Sequence, residues 1–196
     1  MTPGVALVTG AGARLGRAMA MALGEDGWKV AVHYRSSKEG AEETCEMIRK
    51  AGGMAVPVEA DLADETARGD LVARAAKALG APVSLLINSA STFQDDTLAT
   101  HSRKGWDAHM EPNLRAPTHL AQQMADDLPE GEKGLVINLI DQRVLKLNPL
   151  FFTYTLSKAA LWQATQTMAQ ALAPRIRVNA IGPGPVLASV HQTPEE

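Results

Sequence analysis

Six short runs rich in Val, Ile and Leu are separated by stretches long enough for helices, and this alternation most limits the folds open to the chain. The runs are Val5 to Thr9, Lys29 to Tyr34, Met54 to Glu59, Ser84 to Asn88, Gly134 to Ile140 and Arg175 to Ile181. Helices are predicted between them over Arg14 to Asp26, Lys38 to Ala51, Asp64 to Leu79, Leu114 to Leu128 and Phe152 to Ala173. Strand-helix-strand repetition builds a parallel sheet, and right-handed crossovers place helices on both of its faces. In the first helix Leu15, Ala18, Met19, Ala22 and Leu23 form a stripe at helical spacing; in the second Ala41, Cys45 and Ile48 do the same.

The predicted fold class is therefore α/β, a Rossmann-type doubly wound parallel sheet, forming one domain over residues 1–196. In such sheets ligands bind beyond the carboxyl ends of the strands, so functional residues belong just after each strand. With 196 residues, net charge -3 and acidic and basic residues scattered, nothing suggests a nucleic-acid footprint. Apolar runs are too short to span a bilayer, and Met1-Thr2-Pro3-Gly4 does not read as a secretion signal. The single Cys45 can form no internal disulfide, which points to a reducing compartment, the cytoplasm, with the thiol packed against the sheet.

Thr9-Gly10-Ala11-Gly12-Ala13-Arg14-Leu15-Gly16 follows the first strand and opens the first helix. Glycines there permit a tight turn and close approach of a pyrophosphate, while the helix N-terminus offers free N–H groups. At the end of the second strand an acidic residue would bond a ribose 2′-OH and an arginine a 2′-phosphate. His33-Tyr34-Arg35-Ser36-Ser37 has no carboxylate before Glu39, which favours NADP(H). Tyr154 and Lys158, four apart, share one helix face, where an ammonium beside a phenol favours the phenolate and proton exchange near neutral pH. Read as residues alone, Asn88 and Asn113 are equally consistent with loop ties, and Asp61 with a helix cap.

The glycine turn and Tyr154-Thr155-Leu156-Ser157-Lys158 resemble the T-G-x-x-x-G-x-G and Y-x-x-x-K signatures of the short-chain dehydrogenase/reductase family, over residues 5 to about 189. The resemblance implies cofactor contacts from Gly10, Arg14, Leu15, Gly16, Tyr34, Arg35, Ser36, Asp61, Leu62, Asn88, Tyr154, Lys158, Pro183 and Gly184. Among these Asp61 would meet the adenine, and Pro183-Gly184 would bound the nicotinamide. It also implies catalysis by Tyr154 and Lys158, a proton-relay water held by Asn113, and a homo-oligomer, with tetramers common among relatives.

Three departures carry substrate information. Asp141 stands thirteen residues before Tyr154, where the family usually has a Ser that hydrogen-bonds a substrate carbonyl. A carboxylate repels the alkoxide of a ketone reduction but suits the N–H donors of a heterocycle. Arg14 replaces the central glycine of the turn, and Ser91 and Phe93 follow the fourth strand. Together these resemble the pteridine reductases, including the bacterial dihydromonapterin reductases. That resemblance implies a substrate set of Arg14, Ser91, Phe93, Asp141 and Tyr154, with a pterin between Phe93 and the nicotinamide, and adds Asp141 to the catalytic residues: hydride would go to C6 of a 7,8-dihydropterin and N5 would take a proton from Tyr154, supported by Lys158 and Asp141. The alternatives are a reductase of another carbonyl, such as a 3-oxoacyl thioester, and a nucleotide-binding protein without catalysis; the Asn113, Asp141, Tyr154 and Lys158 set speaks against the last.

The histidines, His33, His101, His109, His119 and His191, lack metal-ligand spacing, so no metal site is assigned. Trp28 and Trp162 are expected to pack, and Trp106 falls in the segment 97–112 that in this family often joins subunits. Glu42-Glu43 and Asp95-Asp96 read as solvated charge. Relatives continue past the Pro-Gly turn into a covering segment, a helix and a seventh strand. Thr193-Pro194-Glu195-Glu196 reads as a helix start, so a C-terminal helix and last strand are expected to be missing from the sequence.

Overall fold

The computed structural model describes residues 2–184. His191, Thr193 to Glu196 and the part of the family resemblance beyond residue 184 lie outside the described residues. A six-stranded parallel sheet runs in the order β3-β2-β1-β4-β5-β6, from β1 (Val5–Val8), β2 (Lys29–Tyr34), β3 (Met54–Glu59), β4 (Val83–Asn88), β5 (Gly134–Leu139) and β6 (Ile176–Ile181). Every neighbouring pair is parallel, as the strand-helix alternation requires. The strand order reverses between β1 and β4, the crevice where doubly wound sheets bind ligands.

Alternate residues of β1 serve opposite cores. Val5 and Leu7 join Leu71, Leu86, Leu120 and Met124 on one face, while Ala6 and Val8 join Ala20, Ala41, Cys45 and Ile48 on the other. Both faces are therefore covered, and Cys45 is a buried packing residue, as is Trp28. Trp162 departs from expectation: it is 38% exposed, because α7 (Phe152–Leu172) turns that position outward. The stripe predicted for α1 (Arg14–Glu25) is also shifted. Gly16, Ala20 and Gly24 are its buried residues, and Ala18 and Ala22 face outward. A β-carbon on Gly24 would lie 2.6 Å from Ile48 Cγ2 of α2 (Lys38–Lys50), so small residues set the helix spacing.

The predicted helix over 64–79 is two, α3 (Glu65–Arg68) and α4 (Leu71–Leu79), interrupted at Gly69-Asp70. Asp64 caps α3 by accepting from the N–H groups of Thr66 and Ala67. The helix predicted at 114–128 begins earlier, as α5 (Arg103–Met110), a π-helical turn over Glu111–Arg115, and α6 (Ala116–Asp127). Pro112 has no N–H to donate, and the ladder passes it by widening one turn. Arg68, fully buried, ties the Leu62 carbonyl to Glu111 in that turn. No described helix is long and apolar enough to cross a membrane.

Candidate active site

The loops after β1, β2, β4 and β5 and the start of α7 surround a cleft of about 790 Å³, within the range typical of ligand sites. Its first half is built from backbone. Gly10 has φ +67°, and a β-carbon there would meet Ala90 Cα at 2.9 Å; one on Gly16 would meet the Gly10 carbonyl oxygen at 2.2 Å. Only glycine fits either place. Ala13 precedes α1 without a side-chain cap, and no acidic residue occupies the first turn, which leaves the N–H groups for an anion. Arg14 holds φ 50°, the left-handed region, at the position where the family motif has glycine. These features fit a dinucleotide's phosphates, and Arg35 and Ser36 line the same end of the cleft.

His33 organises this turn, a role the sequence did not disclose. Its Nδ1 accepts from the Gly10 N–H at 3.0 Å, so Nε2 carries the proton and donates to the Ala60 carbonyl at 3.1 Å. Burial holds its pKa down at about 4, keeping the ring neutral as this pairing requires. The Thr9 hydroxyl oxygen accepts from the N–H groups of Ser89 and Ala90, each at 3.0 Å, which joins the glycine turn to the loop after β4. Arg17 donates to the Gly12 and Gly40 carbonyls and meets Glu43 at 2.7 Å, so that exposed carboxylate is paired.

The second half is built from side chains far apart in sequence. Asp141 follows β5; its Oδ1 accepts from the Arg143 N–H at 2.8 Å, and its Oδ2 accepts from the Tyr154 phenol at 2.9 Å. Burial, then the Asp141 charge, pushes the phenol's pKa up, with Arg143 opposing. The arrangement thus favours a protonated tyrosine, contrary to the phenolate expected from the Tyr-Lys spacing. Lys158 Nζ donates to the Leu139 carbonyl at 2.8 Å and lies 5.8 Å from the Tyr154 ring centroid. Burial lowers its pKa to about 8.

Phe93 stacks on Phe151 at 4.3 Å between centroids, with planes 9° apart, and meets the Tyr154 ring edge-on at 4.7 Å. Asp96, expected as solvated charge, is an anchor: its Oδ1 accepts from the Thr153 N–H at 3.0 Å and its Oδ2 accepts from the Thr153 hydroxyl. It caps α7 from a distant loop because Phe151, before the helix at φ 55°, has no polar side chain to do so. His109 Nδ1 bonds the same hydroxyl at 2.7 Å, and its Nε2 accepts from the Gln94 N–H at 3.1 Å. Loop 91–96, α5 and α7 are thereby locked together.

The sequence pattern described as short chain dehydrogenase matches residues 4–196. The chain belongs to the short-chain dehydrogenase family. Membership makes it an oxidoreductase. Across this short-chain dehydrogenase, 3-oxoacyl-[acyl-carrier-protein] reductase FabG of Staphylococcus epidermidis is 31% identical over 186 residues, covering 94% of this chain and 76% of the relative. Among solved structures, FolM alternative dihydrofolate reductase 1 from Brucella canis, complexed with NADP, is 47% identical with TM-score 0.94, covering 99% of this chain and 76% of that one. Landomycin C-6 ketoreductase LanV, with bound NADP and rabelomycin, is 32% identical with TM-score 0.86, covering 93% and 76%.

Of the residues singled out in this short-chain dehydrogenase from sequence, Gly10, Arg14, Leu15, Gly16, Tyr34, Arg35, Ser36, Asp61 and Leu62 line the cleft's first half. Ser91, Phe93, Asp141, Tyr154, Lys158, Pro183 and Gly184 line the rest. Two sit behind the wall. Asn88 donates to Asn138 at 2.8 Å between β4 and β5. Asn113, fully buried in the π-helical turn, accepts from Ser91 and Thr92 and donates to Ser157. Tyr34 turns its hydroxyl to Glu59 at 3.3 Å. Asp61 accepts from the Ala63 N–H, so it is Asp64 that caps the helix. Arg143 and Phe151 line the cleft and were not signalled by any motif. Among the described residues no cluster of His, Cys, Asp and Glu could hold a metal ion.

Proposed function

We propose that this oxidoreductase reduces a 7,8-dihydropterin to the tetrahydropterin, C6 receiving hydride and N5 a proton from Tyr154. The cofactor is NADP(H), supported by NADP in neighbouring structures and by Arg35 at the end of β2. When bound, the nicotinamide supplies the hydride. The residues of the glycine turn hold the phosphates, Arg35 and Ser36 the 2′-phosphate, and Asp61, Leu62, Pro183 and Gly184 bound the rest.

One observation carries the substrate reading: the Tyr154 phenol donates to a carboxylate, Asp141, at 2.9 Å. A carboxylate beside a tyrosine accepts ring N–H donors and lets a proton pass through the phenol to a ring nitrogen, whereas a ketone's developing alkoxide needs donors around it. Lys158 supports Tyr154 from within the wall, and Asn113 fixes Ser91 and Thr92, which carry the cleft edge toward the substrate. The likeness to a dihydrofolate reductase, whose substrate contains a dihydropterin ring, supports the same class.

The identity to 3-oxoacyl thioester reductases favours a second reading, a ketoreductase. Following NADPH absorbance with dihydromonapterin, dihydrobiopterin, dihydrofolate and an acetoacetyl thioester separates the two. Pterin turnover is expected; turnover of the thioester alone sinks the pterin reading. Asp141→Ser should lower pterin turnover about hundredfold, the lower end of a proton-transfer contribution, and raise thioester turnover. The proposal extends to one domain, a homo-oligomer of four copies and a cytoplasmic setting. The family resemblance supports association and the single Cys45, with no partner for a disulfide, supports a reducing compartment; light scattering tests the copy number.

A further inference from the structure

The cleft is lined by four cationic side chains, Arg14, Arg35, Arg143 and Lys158, against two carboxylates, Asp61 and Asp141. In the reading above Arg14 and Arg35 serve the cofactor's phosphates and Lys158 serves Tyr154. Arg143 is left over. Its guanidinium carbon lies 4.7 Å from the Phe151 ring centroid and 5.9 Å from that of Phe93. Among the described residues no carboxylate stands within ion-pair distance of it, and its buried Nη1 has no hydrogen-bond partner. The backbone of Arg143 is pinned by Asp141, the residue that meets Tyr154, so the guanidinium is held at the reacting end of the cleft.

A buried charged donor is costly unless an acceptor reaches it, and a guanidinium is best satisfied by a carboxylate taken through two parallel bonds. The neighbouring stacked rings suit an aromatic group carrying that carboxylate. We propose that Arg143 forms an anion-accepting subsite that selects dihydropterins with a carboxylate-bearing aryl tail, as in dihydrofolate, over unconjugated dihydropterins. The inference rests on the dihydropterin reading and names which members of that class the site prefers.

The test measures kcat/KM for dihydrofolate and dihydrobiopterin in the wild type, Arg143→Gln and Arg143→Lys, with calorimetric titration of p-aminobenzoylglutamate into the NADP-loaded protein. The ratio of the two specificity constants is expected to fall about tenfold in Arg143→Gln, the scale of one charge-assisted hydrogen bond, through KM for dihydrofolate. Arg143→Lys should recover part of the ratio, and fragment binding should weaken in parallel. An unchanged ratio, including equal loss for both substrates, means Arg143 acts on the ring, on Tyr154 or on the fold; it overturns the subsite and leaves the dihydropterin reading standing. Fragment binding that does not weaken in Arg143→Gln overturns the subsite in the same way. Wild-type turnover of neither pterin overturns both.

Discussion

At the cofactor end of the cleft the decisive contacts are backbone to backbone or backbone to one side chain: Gly16 beneath the Gly10 carbonyl, the Gly10 N–H on His33, and the N–H groups of residues 89 and 90 on Thr9. At the reacting end they join side chains remote in sequence: Tyr154 to Asp141, Thr153 to Asp96 and His109, and Asn113 to Ser91 and Ser157. The first end is set by close backbone approach and tolerates little change of shape, which suits the phosphate-holding role proposed for it. The second owes its chemistry to which side chains it holds, so the same scaffold can serve ketones or heterocycles by exchanging a few of them.

The largest effect is expected at the reacting end. Tyr154→Phe should reduce kcat about 1,000-fold, within the range for loss of a general acid, while NADPH binding, followed by fluorescence titration, persists. Retained turnover would remove Tyr154 from the mechanism. Gly16→Ala attacks the other end. Its β-carbon would press on backbone that cannot step aside, and about 3 kcal/mol of stability should be lost in urea unfolding, together with NADPH affinity.

The pH dependence of stability discriminates the two ends further. His33 binds its proton at about pH 4 when folded against an ordinary value of 6.5, so the unfolded chain takes up more protons between those limits. Stability is full above pH 6.5 and falls as pH drops toward 4, by about 3 kcal/mol for this group, using 1.36 kcal/mol per pKa unit. His33→Gln should flatten that part of the profile while sacrificing the Gly10 contact. Thr153→Val should have the smallest effect, about 2 kcal/mol, by leaving Asp96 and His109 without the hydroxyl they share. It should lower turnover more than NADPH affinity; the opposite pattern would mean that the lock serves the cofactor end.

The same contrast explains how much could be read without coordinates. Strand and helix positions followed from apolar runs and spacing, and β2 and β3 have the predicted limits. The glycine turn, Arg35, Asp141, Tyr154 and Lys158 were legible because each follows a strand or recurs at helical spacing. Asp96 read as a solvated acid because nothing near it in sequence reveals that α7 starts with an uncapped Phe151. Arg143 and Phe151 belong to no local pattern, and their places become significant only when the loops after β4 and β5 meet.

By itself the sequence determined the parallel sheet, its order of helices and strands, the glycine turn after β1 and the Tyr-Lys pair, because these depend on short-range periodicity and on backbone shapes that only glycine permits. Tertiary structure alone decided that Tyr154 points its proton at Asp141, that Asn88 and Asn113 brace the wall instead of lining it, and that a spare guanidinium stands among aromatic rings. Those facts depend on distance and burial between segments that no local periodicity relates, and burial sets both the protonation of each group and the cost of leaving it unpaired.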